Sequence, residues 1–123
     1  MENSKNPVLV VDDDADIRMV LTDVLEAEGF HPFEAENGQQ ALETLEQIPR
    51  PCLVLLDLMM PVMDGHEFLR RVRARPELCP EVHVVVCTAS NTLPSRDPPV
   101  EAILRKPFEL GDLMDLLAQQ RRS

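Results

Sequence analysis

The sequence predicts one doubly wound α/β domain on a five-stranded parallel sheet. Three observations carry this. Strand-like apolar runs alternate with helical periodicities along the chain; the main runs are continuous and β-branched; and they stop abruptly on polar residues. Continuous apolar runs suit strands covered on both faces, and strand–helix alternation implies right-handed crossovers between parallel strands. The 123 residues are one domain's worth of chain. We expect an N-terminal tail over 1–6, the domain over 7–120 and a C-terminal tail over 121–123.

Each element has its own signal. Pro7-Val8-Leu9-Val10-Val11 reads as a central strand cut off by Asp12-Asp13-Asp14. Ile17, Val20, Leu21, Val24 and Leu25 recur at helical spacing and Gly29 stands where a C-terminal cap belongs, which predicts a helix of about four turns. His31–Ala35 is a short, weak strand candidate. Ala41, Leu42, Leu45 and Ile48 stripe a second helix, closed by Pro49. Cys52-Leu53-Val54-Leu55-Leu56 repeats the logic of the first strand and ends on Asp57; Pro61 and Asp64-Gly65 then make a turn. Phe68, Leu69 and Val72 indicate a third helix, residues 82–86 a fourth strand ending near Thr88, and Ala102-Ile103-Leu104 a minimal fifth ending at Lys106-Pro107. Leu110, Leu113, Met114 and Leu117 stripe a last helix.

Composition narrows the function. Hydrophobic residues make up 44% of the chain, enough to bury a core. The net charge of −10 repels phosphate backbones and anionic headgroups, so direct binding to nucleic acid or membrane is not expected. No apolar run approaches the roughly 18–20 residues that span a bilayer, and residues 1–6 lack a signal peptide's apolar stretch, so a cytoplasmic protein is expected. Cys52, Cys79 and Cys87 have neither zinc-ligand nor redox spacing and read as reduced, mostly buried thiols.

The strand endings carry the chemistry. Ligands of open parallel sheets bind at the carboxyl ends of the strands. The first strand ends in Asp12-Asp13, the third in Asp57, the fourth near Thr88 and the fifth at Lys106, so one rim gathers three carboxylates, a hydroxyl and an ammonium. Singly each residue has an ordinary role: Asp13 or Asp14 caps a helix, Asp57 starts a turn, Lys106 is solvated. Together they suit a phosphoryl group and a hard divalent cation, and Mg²⁺ takes one or two carboxylates plus phosphoryl oxygens.

The run Val8-Leu9-Val10-Val11-Asp12-Asp13-Asp14, the motif Asp57-Leu58-Met59-Met60-Pro61-Val62-Met63-Asp64-Gly65 and the triplet Lys106-Pro107-Phe108 together resemble the receiver domain of two-component response regulators. The resemblance covers nearly the whole chain. It implies a flavodoxin-like receiver fold, Asp57 as phosphoacceptor, Mg²⁺ held by Asp12, Asp13, Asp57 and the Met59 backbone carbonyl, Thr88 sensing the phosphoryl group and Lys106 pairing with it. It also implies a sensor histidine kinase or histidine phosphotransfer protein as donor and a downstream protein target. The chain would then be no enzyme in the usual sense, catalysing only its own phosphorylation and dephosphorylation. Met59 and Ser90 occupy the two positions that orient the attacking water in that family, which implies slow loss of the phosphoryl group.

Three departures stand out. Thr88 and Lys106 are 18 positions apart, a few fewer than in typical receivers, and Pro94, Pro98 and Pro99 fall between them. The stretch 91–99 should form no full helix, so the family's fourth helix is shortened or remodelled. Ile103 stands where the family has an aromatic switch residue. No output domain follows Ser123, which suggests a stand-alone relay or adaptor, or a fragment of a larger regulator.

Two other functions compete. A phosphorylation-independent pseudo-receiver would keep the fold for protein binding alone; intact Asp12, Asp13, Asp57 and Lys106 argue against it. A phosphohydrolase would need a general acid/base two residues after Asp57, where Met59 sits. Among weaker signals, Met59, Met60 and Met63 suit packing or an adaptable surface. Arg70, Arg71, Arg73 and Arg75 read as a solvated run complementing a helix dipole, and His66 as a first-turn surface residue.

Overall fold

The computed structural model describes residues 6–88, 102–105 and 109–121, and these form five strands and four helices. In chain order these are β1 (Pro7–Val11), α1 (Ala15–Ala27), β2 (His31–Ala35), α2 (Gly38–Leu45), β3 (Cys52–Leu56), α3 (Gly65–Arg73), β4 (Val82–Thr88), β5 (Ala102–Arg105) and α4 (Leu110–Arg121), with a 3₁₀ turn at Cys79–Glu81. The sheet order is β2-β1-β3-β4-β5, and every pairing is parallel.

Side-chain alternation explains the unbroken apolar runs. Leu9, Val11, Val54, Leu56, Val84 and Val86 face one core, which α2 and α3 close with Ala41, Leu42, Leu45, Phe68, Leu69 and Val72. Val8, Val10, Leu53, Leu55, Val85 and Cys87 face the other, closed by Leu21 and Leu25 of α1 and Leu113 and Leu117 of α4. Both faces are covered, so both parities must be apolar. Burying each such Val or Leu contributes roughly 1.5–3 kcal/mol relative to exposure.

The edge strand β2 departs from this pattern for a physical reason. His31 N–H bonds the Asn6 carbonyl on the β1 side, so by alternation position 32 faces outward, and Pro32 removes a donor from the open edge. His31 and Phe33 stack there with centroids 4.6 Å apart.

One boundary shifts from the sequence expectation. The second helix ends at Leu45, not at Pro49; buried Ile48 packs from the turn that follows, its N–H on the Thr44 carbonyl. β4 ends at Thr88 and β5 at Arg105, just before Lys106, as expected. Cys52 and Cys87 are buried, as expected. Lys106, Ser90 and the stretch 91–99, with its expected lack of a helix, lie outside the described residues, as does the Cys79 side chain. Among the described residues no helix is long and apolar enough to cross a membrane.

Candidate functional site

The strand order makes β1 and β3 neighbours although β2 lies between them in the chain, so the crossovers diverge there and leave a crevice above their carboxyl ends. The ladder continues one step past each strand. Asp12 N–H donates to the Ala35 carbonyl at 3.1 Å, and Asp57 N–H donates to the Val11 carbonyl at 2.9 Å. Asp12 follows the parity of Val8 and Val10, and Asp57 that of Leu53 and Leu55, so both carboxylates leave the sheet on the α1 side.

The result is a three-carboxylate cluster. One oxygen each of Asp12, Asp13 and Asp57 lies within 4.8 Å of the others, with Asp12 and Asp57 buried and Asp13 exposed. Three negative groups this close repel one another, and their hard oxygens suit one small divalent cation with water completing its shell. The donor set therefore fits Mg²⁺.

The structure also resolves which acid caps α1. Asp14 is the N-cap, its Oδ1 accepting the N–H groups of Asp16 at 2.9 Å and Ile17 at 3.2 Å. Asp14 is thus committed to the helix, while Asp12 and Asp13 serve the cluster; Asp12 Oδ1 also accepts the Asp14 N–H at 2.9 Å.

The loop after β3 holds Asp57 in place. Met59 N–H donates to Asp57 Oδ1 at 3.2 Å, which restrains rotation of the carboxylate. At the apex, Met63 N–H reaches the Pro61 carbonyl at 2.8 Å around Val62, whose φ of 68° is strained for a β-branched residue. The loop is pinned at both flanks: Gly65 N–H bonds the Leu58 carbonyl at 3.1 Å and Gly38 N–H the Met63 carbonyl at 2.9 Å. Asp64 caps α3 through the Glu67 N–H. Met63 is buried, whereas Met59 and Val62 stand 66% and 83% exposed beside the crevice, so the methionine cluster divides between packing and surface.

Thr88 is the last residue of β4 and fully buried. Leu56 pairs with Val86, which puts Thr88 one step beyond the level of Asp57 at the same end of the sheet. Arg105, its partner on β5, immediately precedes Lys106. Ile103 is partly exposed at 37%.

The arginine run is solvated, as the sequence suggests. Arg70 and Arg71 both pair with Glu67, and hydrogen bonds from Arg71 and then Arg70 hold its carboxyl below the usual range. Arg75 bridges Glu46 on the α2 side at 2.8 Å and Glu77 at 2.9 Å. Sequence reasoning missed Arg18, whose guanidinium touches the Asp12 carbonyl beside the cluster. Its signal was a lone arginine on the polar face of an amphipathic helix, which carries no information on reach.

Known proteins agree with this geometry. The sequence model of the response regulator receiver domain matches residues 8–118. Sporulation initiation phosphotransferase F of Bacillus subtilis is 37% identical over 119 residues, covering 94% of this chain and 91% of the relative. The response regulator receiver protein CpdR of Brucella abortus is 37% identical over 112 residues, covering 88% and 90%. The receiver domain of the sensor histidine kinase PA1611 from Pseudomonas aeruginosa, solved with a magnesium ion coordinated in its active-site cleft, superposes with a TM-score of 0.82 at 26% identity over 98% of this chain and 100% of that one. With the acidic crevice, the strand order and these matches in agreement, the chain belongs to the response regulator receiver domain family.

Proposed function

We propose that this receiver accepts a phosphoryl group on Asp57 from a cytoplasmic histidine kinase or histidine phosphotransfer protein, and that the acyl phosphate switches its protein-binding surface toward a downstream target. The carrying observation is the Asp12, Asp13 and Asp57 cluster at the β1/β3 crevice, with Asp57 held by the Met59 N–H. The relative named a phosphotransferase supports the same reading.

An Asp57 carboxylate oxygen forms the new bond to phosphorus while the phosphorus–nitrogen bond to the donor imidazole breaks, and the imidazole takes a proton from solvent as it leaves. Such a transfer asks the protein mainly for positioning and charge neutralisation. The ladder bond to Val11 and the Met59 N–H set the direction of the Asp57 carboxylate. Asp12, Asp13, Asp57 and the Met59 backbone carbonyl would hold Mg²⁺, which when bound neutralises charge on the transferred oxygens. Thr88, at the end of β4, donates its hydroxyl to a phosphoryl oxygen, and Lys106, next after β5, supplies a cation.

The modification adds about −1.5 to −2 charge at the crevice, enough to reorder adjacent loops. The domain catalyses only this acceptance and the later hydrolysis. Met59 offers no polar side chain to orient water, so hydrolysis is slow.

Intact mass after incubation with acetyl phosphate and Mg²⁺ tests the proposal. One phosphoryl group per chain is expected, lost on removing Mg²⁺ and absent in a folded Asp57→Asn variant. An unmodified wild-type chain would favour the phosphorylation-independent interaction module.

A further inference from the structure

Arg18 lies in the second turn of α1 with its side chain only 15% exposed, unusual for a residue type that is rarely buried. Its guanidinium spans two strand ends. Nη1 donates to the Asp12 backbone carbonyl at 2.6 Å, and Nε donates to Glu34 Oε1 of β2 at 3.1 Å. Asp12 is already held by its amide on the Ala35 carbonyl and by its Oδ1 on the Asp14 amide. With the carbonyl also bonded, the peptide plane joining Asp12 to Asp13 has one orientation. That plane sets where the exposed Asp13 side chain leaves the backbone.

The fold does not need this clamp, because β1 and β2 are already joined in register over five residue pairs. We infer that Arg18 is a positioning residue of the acidic site: through the Asp12 carbonyl it keeps Asp13 aligned with Asp12 and Asp57, and Glu34 anchors it. The inference rests on the reading of the cluster as a Mg²⁺ site.

Positioning and field effects have opposite signs. A guanidinium beside a cation site repels the incoming ion, so by charge alone its removal tightens Mg²⁺ binding. If Arg18 positions the ligands, its removal weakens binding. Arg18→Lys isolates geometry, because lysine keeps the charge and loses the planar fork that reaches two acceptors at once. Arg18→Met keeps the aliphatic stem and the helix propensity.

The experiment is a calorimetric Mg²⁺ titration of the full chain as wild type, Arg18→Lys, Arg18→Met, Glu34→Gln and the Arg18→Met/Glu34→Gln double variant. Affinity should fall about tenfold in both Arg18 variants, the scale found when groups orienting metal ligands are removed. Glu34→Gln should weaken binding in the wild-type background and change nothing once Arg18 is gone, whereas a pure field effect would appear in both backgrounds. Amide NMR shifts of Asp13 in the metal-free chain should move in Arg18→Lys. Wild-type affinity in Arg18→Lys, or tighter binding in Arg18→Met, overturns the inference while leaving the cation site intact. An unsubstituted chain that binds no Mg²⁺ overturns the site reading and this inference with it.

Discussion

Gly65 opens α3 directly beneath the segment that carries Asp57, and the space there decides what Gly65→Ala does. A Cβ at this position would lie 2.8 Å from both Leu58 Cα and Leu58 Cδ2, and 2.9 Å from the Asp57 carbonyl oxygen. Two of the three atoms are backbone, so no side-chain rotation relieves the contact; the loop or the helix must move, stretching the Gly65–Leu58 hydrogen bond. Overpacking of this kind costs about 1–3 kcal/mol, against a gain of up to about 1 kcal/mol for alanine over glycine in a helix. The net expectation is a loss of roughly 1–2 kcal/mol. Gly111, in the first turn of α4, is the internal control, since a Cβ there meets nothing within 4 Å. Gly111→Ala should therefore stabilise by about 0.4–1 kcal/mol. Urea titration reads both: with a slope near 2 kcal/mol per molar, the midpoint should drop by about 0.5–1 M in Gly65→Ala and rise by about 0.2–0.5 M in Gly111→Ala. Gly65→Ala should also slow phosphoryl acceptance, because the displaced atoms belong to Asp57 and Leu58. A Gly65→Ala protein as stable as wild type, or more so, would refute the steric reasoning.

Two further outcomes follow from charge and burial. Asp13→Asn should weaken Mg²⁺ binding and raise the urea midpoint of the metal-free protein, since it removes a proposed ligand and one of three mutually repelling charges; unchanged metal affinity would remove Asp13 from the proposed ligand set. Burial pushes the Cys52 thiol up from 9.0 to about 11, with Glu81 adding to the rise and Arg50 opposing it. Because the folded state keeps a proton that the unfolded chain releases above pH 9, this contribution to stability is complete below pH 9 and is lost as pH rises toward 11. Urea midpoints at pH 8 and pH 10.5 should therefore differ less in Cys52→Ala than in wild type, and an identical pH dependence in both would count against the buried-thiol account.

Much of the fold was legible because a doubly covered sheet leaves a coarse signature. β1, β3 and β4 must be apolar on both parities, so Val8–Val11 and Cys52–Leu56 announce themselves and the acids at their ends fall on one rim. The weak reading of β2 reflects its edge position, where Pro32 and Glu34 are tolerated. Three features were not legible. Asp14, not Asp13, caps α1, a choice made by backbone geometry one residue wide. Ile48 continues the helical stripe of α2 from a turn, because burial does not require the helix to persist. Arg18 reaches the Asp12 carbonyl and Glu34, sixteen residues away in sequence, through a tertiary contact that no local pattern encodes.

Under the proposed function Asp57, and neither of its two acidic neighbours, carries the phosphoryl group. Borohydride reduces an aspartyl phosphate to homoserine, so trapping the phosphorylated protein with borohydride and mapping its peptides by mass marks the acceptor covalently. Homoserine is expected at position 57, with aspartate unchanged at positions 12 and 13. Homoserine at either of those two positions, or none after intact mass has shown phosphorylation, would contradict the proposal.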